Sequence, residues 1–284
     1  MKVLIIGLGS IAEKHIMALR SLESGVELFA LRSGFKTHTM EEVTDIHSWE
    51  DLPTDLDFII ISNPTGEHYK TIMRASETGL PLFIEKPPLA NLDCIDDLQR
   101  KLKQNDNITY VAFVLRFHPV TRWLRKNLEI SRVTEVQSYC GSYLPDWRNG
   151  SDYRTTYSGQ SIMGGGVHLD LIHEIDYLQW IFGAPVSYHT FLSRKSSLEI
   201  DSFDSAHYYL EYERLNISVM LNYFRRDSKR IMEIVMNDET LVADFLSYTI
   251  NSSLGYTLFE CEPDNMKMYE DQMRYFVNCI RYNN

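Results

Sequence analysis

Five short apolar runs, separated by segments of helical periodicity, constrain the first ~115 residues more than any other feature. The runs lie at residues 2–7, 26–32, 57–62, 81–86 and 108–116. Each is almost continuously apolar, which is typical of strands covered by helices on both faces. Strands that alternate with helices form parallel βαβ units. The sequence therefore predicts an α/β Rossmann domain, a doubly wound parallel sheet, with helices at 10–22, 66–79 and 91–104.

The pattern changes after residue 118. Residues 186–262 alternate apolar and polar side chains, as antiparallel strands with one polar face do. Helices are predicted at 120–130, 166–182 and 265–281. We expect two domains: a dinucleotide-binding Rossmann domain at 1–117, and an α+β domain at 118–284 with an open, mainly antiparallel sheet. Because such a sheet face is commonly buried against another subunit, we expect a homodimer or homotetramer through the C-terminal sheet.

Composition excludes several classes of partner. The formal net charge of -11 repels nucleic-acid phosphates and anionic lipid, so neither nucleic acid nor a membrane is an expected partner. No apolar window approaches the roughly 20 residues that a membrane helix needs. The four cysteines are far apart and lack the spacing of a zinc site or a disulfide framework, so no metal is expected. These features favour a reduced, cytoplasmic setting.

A glycine turn follows the first apolar run and opens the first predicted helix. Gly7 permits the tight turn, Gly9 lets a pyrophosphate approach the backbone, and Ala12 is small enough for helix and strand to pack. The free N–H groups at the helix start, with those of Ser10 and Ile11, then hold the phosphates. We therefore predict a dinucleotide cofactor.

The second apolar run ends at the position that contacts the adenosine ribose. An acidic residue there favours NAD, but this run ends in Arg32 and Ser33. The arginine and the serine hydroxyl suit a 2′-phosphate, so NADP is favoured over NAD. The alternative is a solvated arginine that tolerates either cofactor.

The run at 57–62 leads into a third candidate segment. Asn63, Pro64, Thr65 and His68 follow it, where the carboxyl edge of a parallel sheet faces a cofactor crevice. We expect these residues to contact the ribose or the nicotinamide. A turn with a helix cap at Thr65 is the alternative.

The stretch FIEKPPL places Glu85 and Lys86 at the end of another strand, before two prolines. Proline restricts the backbone of the residue before it, and an X-Pro bond accommodates a cis peptide. This fixes the direction of Lys86, which can hold a substrate hydroxyl and assist its deprotonation. The alternative is a surface pair of Glu85 with Lys86.

The segment GGGVHLDLIHEID begins with three glycines and continues as a predicted helix. Asp170 and His173 are three residues apart, on one helix face, with Tyr177 one turn beyond His173. A histidine oriented by a carboxylate can exchange a proton. Two alternatives are a metal site formed by His168, Asp170 and His173, and a helix start whose acids complement the dipole. His168 lies about 160° from Asp170 around a helix, which disfavours the metal site.

Together, the glycine turn, FIEKPPL and GGGVHLDLIHEIDYLQWIFG resemble the Gfo/Idh/MocA family of oxidoreductases over nearly the whole chain. The resemblance implies a nicotinamide cofactor, a sugar or cyclitol substrate, and dimers or tetramers. It also implies catalytic roles for Lys86, Asp170 and His173, and cofactor contacts from Glu85, Lys86 and Arg116. Many members space the aspartate and histidine by four residues, whereas this chain spaces them by three.

The loop LPDWRNGSDYRTTYSG more narrowly resembles members associated with surface-polysaccharide and nonulosonic-acid pathways. Aromatic faces stack on sugars, and arginines bind carboxylates or phosphates. We therefore expect Trp147, Arg148, Tyr153 and Arg154, along with His168, to bind an anionic or nucleotide-linked sugar. An oligomer contact is the alternative for this loop.

These features predict an NAD(P)-dependent oxidoreductase. Hydride passes between nicotinamide and a secondary alcohol or ketone of a sugar or nucleotide-sugar derivative. His173 moves the hydroxyl proton, Asp170 orients His173, and Lys86 polarises the oxygen. The alternatives are an NAD-dependent sugar hydrolase or lyase that oxidises its substrate transiently, and a non-catalytic dinucleotide sensor.

Overall fold

A computed structural model of the chain describes residues 1–32, 40–148 and 150–282. These residues form two compact units. The first unit comprises Met1–Phe113 and the last helix, and the second comprises Val114–Asp264. The α-helices are α1 Ser10–Leu22, α2 Thr65–Ser76, α3 Ile95–Asn105, α4 Pro119–Asn127, α5 Val167–Asp170, α6 His173–Phe182 and α7 Asn265–Tyr282.

The first unit contains a six-stranded parallel sheet in the order β3-β2-β1-β4-β5-β6. Its strands are β1 Lys2–Ile6, β2 Glu27–Leu31, β3 Val43–Ile46, β4 Phe58–Ile61, β5 Leu82–Ile84 and β6 Thr109–Val111. The predicted Rossmann architecture is confirmed. The sequence analysis missed β3, a four-residue strand in which two of the residues are polar.

The register of the two central strands positions the loops that follow them. Ile6 of β1 pairs with Ile61 of β4, and both strands are buried in the core. Because the strands are parallel and end level with each other, Gly7 and Ser62 leave the sheet at the same edge.

The last helix, α7, packs on the first unit. Phe276 contacts Phe58 and Phe83 edge-on, with ring centroids 5.2 Å apart in each case. Arg281 forms an ion pair with Glu23, the residue that follows α1. The structure thus divides the chain differently from the predicted domains, which placed all of 118–284 together. Aromatic side chains facing β4 and β5, which local sequence does not reveal, account for the difference.

The second unit contains an eight-stranded sheet in the order β14-β13-β12-β11-β7-β10-β9-β8. Its strands are β7 Val133–Tyr143, β8 Ser187–Ser193, β9 Ser205–Glu211, β10 Asn216–Asn222, β11 Phe224–Met236, β12 Thr240–Asp244, β13 Thr249–Ser252 and β14 Thr257–Glu260. Among the strands that the structure describes in this sheet, only β7 and β10 pair in parallel. The predicted α+β unit with a mainly antiparallel sheet is confirmed.

The predicted helix at 166–182 is divided in two. Helix α5 ends at Asp170 and α6 begins at His173. Between them, the Ile172 N–H bonds to the Leu169 carbonyl and the Glu174 N–H to the Leu171 carbonyl, both three residues back. This tighter turn changes the rotation per residue, so regular helical spacing does not describe how Asp170 and His173 are arranged.

Two further classes of feature are absent from the described residues. None of their helices is long and apolar enough to cross a membrane. Nor do they contain a group of three or more His, Cys, Asp or Glu side chains that could hold a metal ion.

Candidate functional site

Gly7 closes the turn between β1 and α1 under tight steric constraint. Its φ of +95° lies in the left-handed region, and a Cβ there would come within 2.3 Å of the Asn63 backbone nitrogen. The Ser62 hydroxyl donates a hydrogen bond of 2.7 Å to the Gly7 carbonyl. The loops after β1 and β4 are therefore interlocked, and no residue with a side chain fits at position 7.

The start of α1 has open space in front of it. Gly9 is the N-cap residue, and no side chain caps this end. A Cβ built at Gly9 would meet nothing within 4 Å, and Gly9 and Ser10 are exposed. Helix N–H groups with no capping side chain attract anions. This end of α1, with Ile11 in its first turn, fits the pyrophosphate of a dinucleotide.

Arg32 lies beside a carboxylate that the sequence analysis did not consider. Its Nη1 is 3.4 Å from Asp45 Oδ1 on β3, and its side chain is largely buried. A 2′-phosphate at this position would share the guanidinium with Asp45, which weakens the basis of the NADP preference. Ser33, the other predicted ribose contact, lies outside the described residues.

His68 is buried inside the scaffold instead of facing open space. Its Nε2 lies 2.9 Å from the Asn63 carbonyl oxygen, and its Nδ1 lies 2.8 Å from the Pro87 carbonyl oxygen. Burial lowers the pKa of His68. The ring therefore holds the loop after β4 against the loop after β5.

Asn63 keeps one unused polar atom. Its Nδ2 donates to the Thr71 hydroxyl at 2.8 Å, whereas its Oδ1 is buried without a hydrogen-bond partner among the described residues. Such an acceptor suits a ribose hydroxyl or a carboxamide N–H. Pro64 occupies the N-cap position of α2 and Thr65 is its first residue, with no side-chain cap, so Thr65 is not the cap that the alternative interpretation required.

Glu85 points into the protein. It is buried, and its Oε1 is 2.6 Å from Nε2 of His15 on α1. Its Oε2 accepts the backbone N–H of Lys86 at 3.1 Å, and the Lys86–Pro87 bond is cis. A buried carboxylate bonded in this way does not form the solvent-exposed pair with Lys86 that the alternative interpretation describes. Sequence reasoning missed His15, because an isolated histidine in a helix gives no signal of its partner.

Asp170 in the second unit is buried beneath tyrosine hydroxyls. Tyr223 donates a 2.5 Å hydrogen bond to Asp170 Oδ2, and Tyr157 lies near enough for its pKa to respond to this carboxylate. Burial, and then the charge of Asp170, raise the pKa values of both tyrosines. Both hydroxyls therefore stay protonated, and the Tyr223 hydroxyl holds the carboxylate in one orientation. Neither tyrosine is near Asp170 in sequence, which is why sequence analysis missed the connection.

The glycines before α5 pack against the chain itself. A Cβ at Gly165 would lie 2.0 Å from the Tyr157 carbonyl oxygen, and one at Gly166 would lie 2.8 Å from Nδ1 of His168. Gly166 also has a φ of +133°. These glycines therefore allow the loop before them to pack closely against the start of α5. Burial lowers the pKa of His168, whose ring lies edge-on to Phe203.

The first turn of α6 is held by a buried charge. Glu174, next to His173, is fully buried and accepts a hydrogen bond from the Tyr177 hydroxyl. Arg230 Nε on β11 lies 3.0 Å from Glu174 Oε1, an ion pair without hydrogen-bond geometry. The Tyr177 hydroxyl therefore donates to Glu174, the residue that follows His173. The His173 side chain is also buried.

The loop after β7 contains a shallow pocket lined in part by Trp147, Arg148 and Tyr153. The Trp147 indole N–H donates to the Ser142 hydroxyl at 2.8 Å, and its ring meets Tyr223 edge-on. The Arg148 guanidinium lies over the Tyr157 ring, 5.2 Å from its centroid. Trp147 thus contacts the tyrosine that bonds to Asp170, and Arg148 contacts a tyrosine whose pKa the Asp170 charge raises.

Two other predicted arginines already hold carboxylates. Arg154 pairs with Asp152 and with Glu199, each at 2.9 Å. Arg116 forms a two-pronged contact with Asp176 of α6, at 2.8 and 2.6 Å, and lies over the Trp180 ring. In this structure Arg154 therefore stabilises the loop that contains it. Arg116 links the turn at Val114–Phe117 to α6.

Comparison with known proteins gives a consistent result. Residues 1–113 match a family model described as an oxidoreductase family with an NAD-binding Rossmann fold, and residues 121–242 match the GFO/IDH/MocA C-terminal domain. A levoglucosan dehydrogenase in complex with NADH has the same fold, with a TM-score of 0.82 and 16% identity, covering 100% of this chain and 90% of that one.

Sequence comparison detects a set of relatives, which includes the following two. A scyllo-inositol 2-dehydrogenase (NAD(+)) of Bacillus subtilis is 23% identical over 64% of this chain and 54% of its own length. A 2,7-anhydro-N-acetylneuraminate hydratase of Mediterraneibacter gnavus is 27% identical over 57% of this chain and 44% of its own length. The chain therefore matches about half the length of each of these relatives.

Proposed function

The chain belongs to the Gfo/Idh/MocA family of oxidoreductases, and we propose that it transfers hydride between a nicotinamide dinucleotide and a secondary alcohol or ketone of a sugar derivative. One observation carries this proposal. The start of α1 has no capping side chain and opens onto space that a single Cβ at Gly9 would begin to fill. Uncapped helix N–H groups at such an opening suit the pyrophosphate of a dinucleotide.

The residues of this chain supply position and electrostatics. When bound, the nicotinamide accepts or delivers the hydride. Lys86 polarises the substrate oxygen, and the Glu85 carboxylate fixes its backbone. His173 exchanges the hydroxyl proton. Asp170, whose orientation Tyr223 fixes, stabilises the cation formed on the histidine.

The proposed substrate is an anionic sugar. Arg148 lines the pocket beside Trp147 and has no ion-pair partner among the described residues, whereas Arg154 is paired with two carboxylates. An arginine stacked on a tyrosine ring keeps its hydrogen-bond donors for a carboxylate or phosphate. Arg148→Met should weaken binding of an anionic sugar by about tenfold or more, and Arg154→Met should change it less than about twofold.

The proposed cofactor preference is NADP over NAD. It rests on Arg32, and the neighbouring Asp45 carboxylate offsets part of its charge. Asp45→Asn removes that competition and should tighten NADPH binding while leaving NADH binding unchanged. Isothermal titration of the protein and of the variant with both cofactors tests this preference. Tighter binding of NADH by the unaltered protein would reverse the assignment and leave the proposed oxidoreductase in place.

The proposed oligomer is a homodimer or homotetramer through the open face of the second sheet. Phe191, His207 and Met220 are directly paired across β8, β9 and β10 on this face, and Phe191 is 69% exposed. Tyr209, two residues beyond His207 on β9, is also exposed on the same face. Sedimentation of the protein and of Phe191→Glu tests the interface, because a buried charge would dissociate it.

The test of the reaction is a turnover assay on a panel of neutral and anionic sugars with either nicotinamide cofactor, read by the absorbance of the reduced cofactor. Lys86→Ala should lower kcat by about 100-fold or more and leave dinucleotide affinity within about twofold. A rate unaffected by this substitution would remove Lys86 from the mechanism.

A second candidate is a redox-neutral conversion with transient oxidation, and one relative supports it. That relative is named as a 2,7-anhydro-N-acetylneuraminate hydratase, so it acts on an acidic sugar. Product formation with no net change in reduced cofactor would favour this candidate over the dehydrogenase.

A further inference from the structure

We propose that His15 is a positioning residue for Lys86, acting through Glu85. This inference rests on the proposed function, because it assigns His15 a part in holding the lysine of that mechanism. His15 lies on α1, the helix whose start is the proposed pyrophosphate site, and Lys86 lies just beyond β5. The two residues are 71 positions apart in sequence and are joined by a single carboxylate.

The first link is a buried contact between His15 and Glu85. The imidazole is fully buried, and Nε2 lies 2.6 Å from Glu85 Oε1. Because a carboxylate oxygen only accepts hydrogen bonds, Nε2 carries the proton. Nδ1 is buried and has no hydrogen-bond partner among the described residues. The histidine therefore makes one polar contact through one defined nitrogen.

The second link runs from Glu85 to Lys86. Glu85 Oε2 accepts the Lys86 backbone N–H at 3.1 Å, so each carboxylate oxygen has one protein donor. The Pro87 carbonyl on the far side of Lys86 is held by His68. The backbone around Lys86 is thus fixed from both sides, and His15 orients the carboxylate that fixes one of them.

The surroundings of His15 limit its own movement. Phe83 of β5 and Tyr269 of α7 contact the ring edge-on, at 4.9 and 5.8 Å between ring centroids. A side chain enclosed in this way cannot reach a substrate. Its effect on Lys86 must therefore pass through Glu85, so His15 positions Lys86 and does not take part in the reaction itself.

Two substitutions distinguish positioning from simple support of the fold. The terminal amide nitrogen of glutamine can occupy the place of Nε2, and that of the shorter asparagine the place of Nδ1. His15→Gln should therefore keep the donor to Glu85, and His15→Asn should lose it. Both variants are polar and both remove the ring, so they form a matched pair.

The first readout needs no substrate. The full-length protein is labelled with limiting acetic anhydride, and modification of Lys86 relative to the exposed Lys70 is measured by mass spectrometry. A carboxylate released from His15 can pair with the Lys86 ammonium and keep it protonated. His15→Asn should lower the ratio by about threefold or more, and His15→Gln should stay within about twofold of the unaltered protein. Glu85→Gln provides a second variant if His15→Asn does not fold. Its neutral amide cannot pair with the ammonium, so the ratio should rise instead of falling.

The second readout is turnover. His15→Asn should lower kcat about tenfold or more with KM and dinucleotide affinity within about twofold, and His15→Gln should restore most of kcat. Labelling ratios that match the unaltered protein in every variant overturn the positioning role, whatever the melting temperatures. Equal losses in the Gln and Asn variants also overturn it. If the unaltered protein turns over no sugar, the proposed function fails, and the labelling ratio still decides the role of His15.

Discussion

The two units hold their candidate site residues in different ways. In the first unit the contacts are mostly to backbone atoms: Ser62 bonds the Gly7 carbonyl, and His68 lies against the carbonyls of Asn63 and Pro87. In the second unit they are side chain to side chain, as between Asp170 and Tyr223 or between Glu174 and Arg230. In the first unit the parallel strands end at a common edge, and this edge fixes the backbone contacts. In the second unit the side-chain contacts depend on which residues strands distant in sequence bring together.

This contrast predicts where each unit is vulnerable. A site held by backbone contacts is disrupted when a side chain is added at a position where two backbone segments lie close together. A site built from side chains fails when one partner of a buried pair is removed.

The largest effect is expected at the ion pair of the second unit. Arg230→Met leaves the fully buried Glu174 carboxylate without its counter-charge, and should lower the free energy of unfolding by about 3–5 kcal/mol. The double variant Arg230→Met/Glu174→Leu removes both charges and should recover much of that loss. Urea unfolding measures both. Equal stabilities of the single and double variants would show that the loss does not come from an uncompensated Glu174 charge.

Gly7 provides the corresponding test in the first unit. Gly7→Ala forces a Cβ to 2.3 Å from the Asn63 backbone nitrogen at a φ of +95°, and should cost about 3 kcal/mol or prevent folding. Gly9→Ala is the matched control, because nothing lies within 4 Å of its Cβ. It should change stability by less than about 0.5 kcal/mol and still weaken dinucleotide binding about tenfold. Unimpaired binding in Gly9→Ala would move the pyrophosphate away from α1.

A buried histidine makes the second unit sensitive to acid. His118 accepts the Val120 N–H at Nδ1 and contacts the Phe245 carbonyl through Nε2, which fixes a neutral tautomer. Burial, and then the charge of Arg230, lower the pKa of His118 from 6.5 to about 4. The unfolded chain therefore binds the extra proton first as pH falls.

The expected result is a loss of stability between pH 6.5 and about 4. Stability is complete above the unfolded pKa, and protonation of this one group removes about 2–3 kcal/mol across that window. His118→Gln keeps a donor for the Phe245 carbonyl but cannot titrate, so its stability should fall less over the same range. Parallel pH profiles for the two proteins would contradict the assignment.

The same contrast explains what the sequence could predict. The apolar runs that alternate with helical segments were enough to predict the parallel sheet of the first unit. The positions of Gly7, Asn63 and Lys86 at the ends of strands followed from the same runs. The break between α5 and α6 did not follow, because the helical pattern of apolar residues continues through Leu171 and Ile172. The partners of Asp170 and Glu85 lie 53 and 70 positions away, and no local pattern marks Tyr223 or His15 as those partners. Backbone geometry was predictable; side-chain pairing was not.

The smallest expected effect tests whether Asp170 depends on its tyrosine. Tyr223→Phe removes one hydroxyl from a buried carboxylate that Tyr157 also contacts, so the free energy of unfolding should fall by only about 1–2 kcal/mol. Under the proposed function kcat should fall about tenfold, because an aspartate with one donor fewer orients less strictly. Tyr212→Phe is the control. It removes a hydroxyl that donates to the Gly183 carbonyl at 3.0 Å, and should leave turnover unchanged. Equal turnover in both variants would show that the carboxylate is held sufficiently by Tyr157 and its neighbours, and would make the second unit less dependent on single side-chain contacts than its structure indicates.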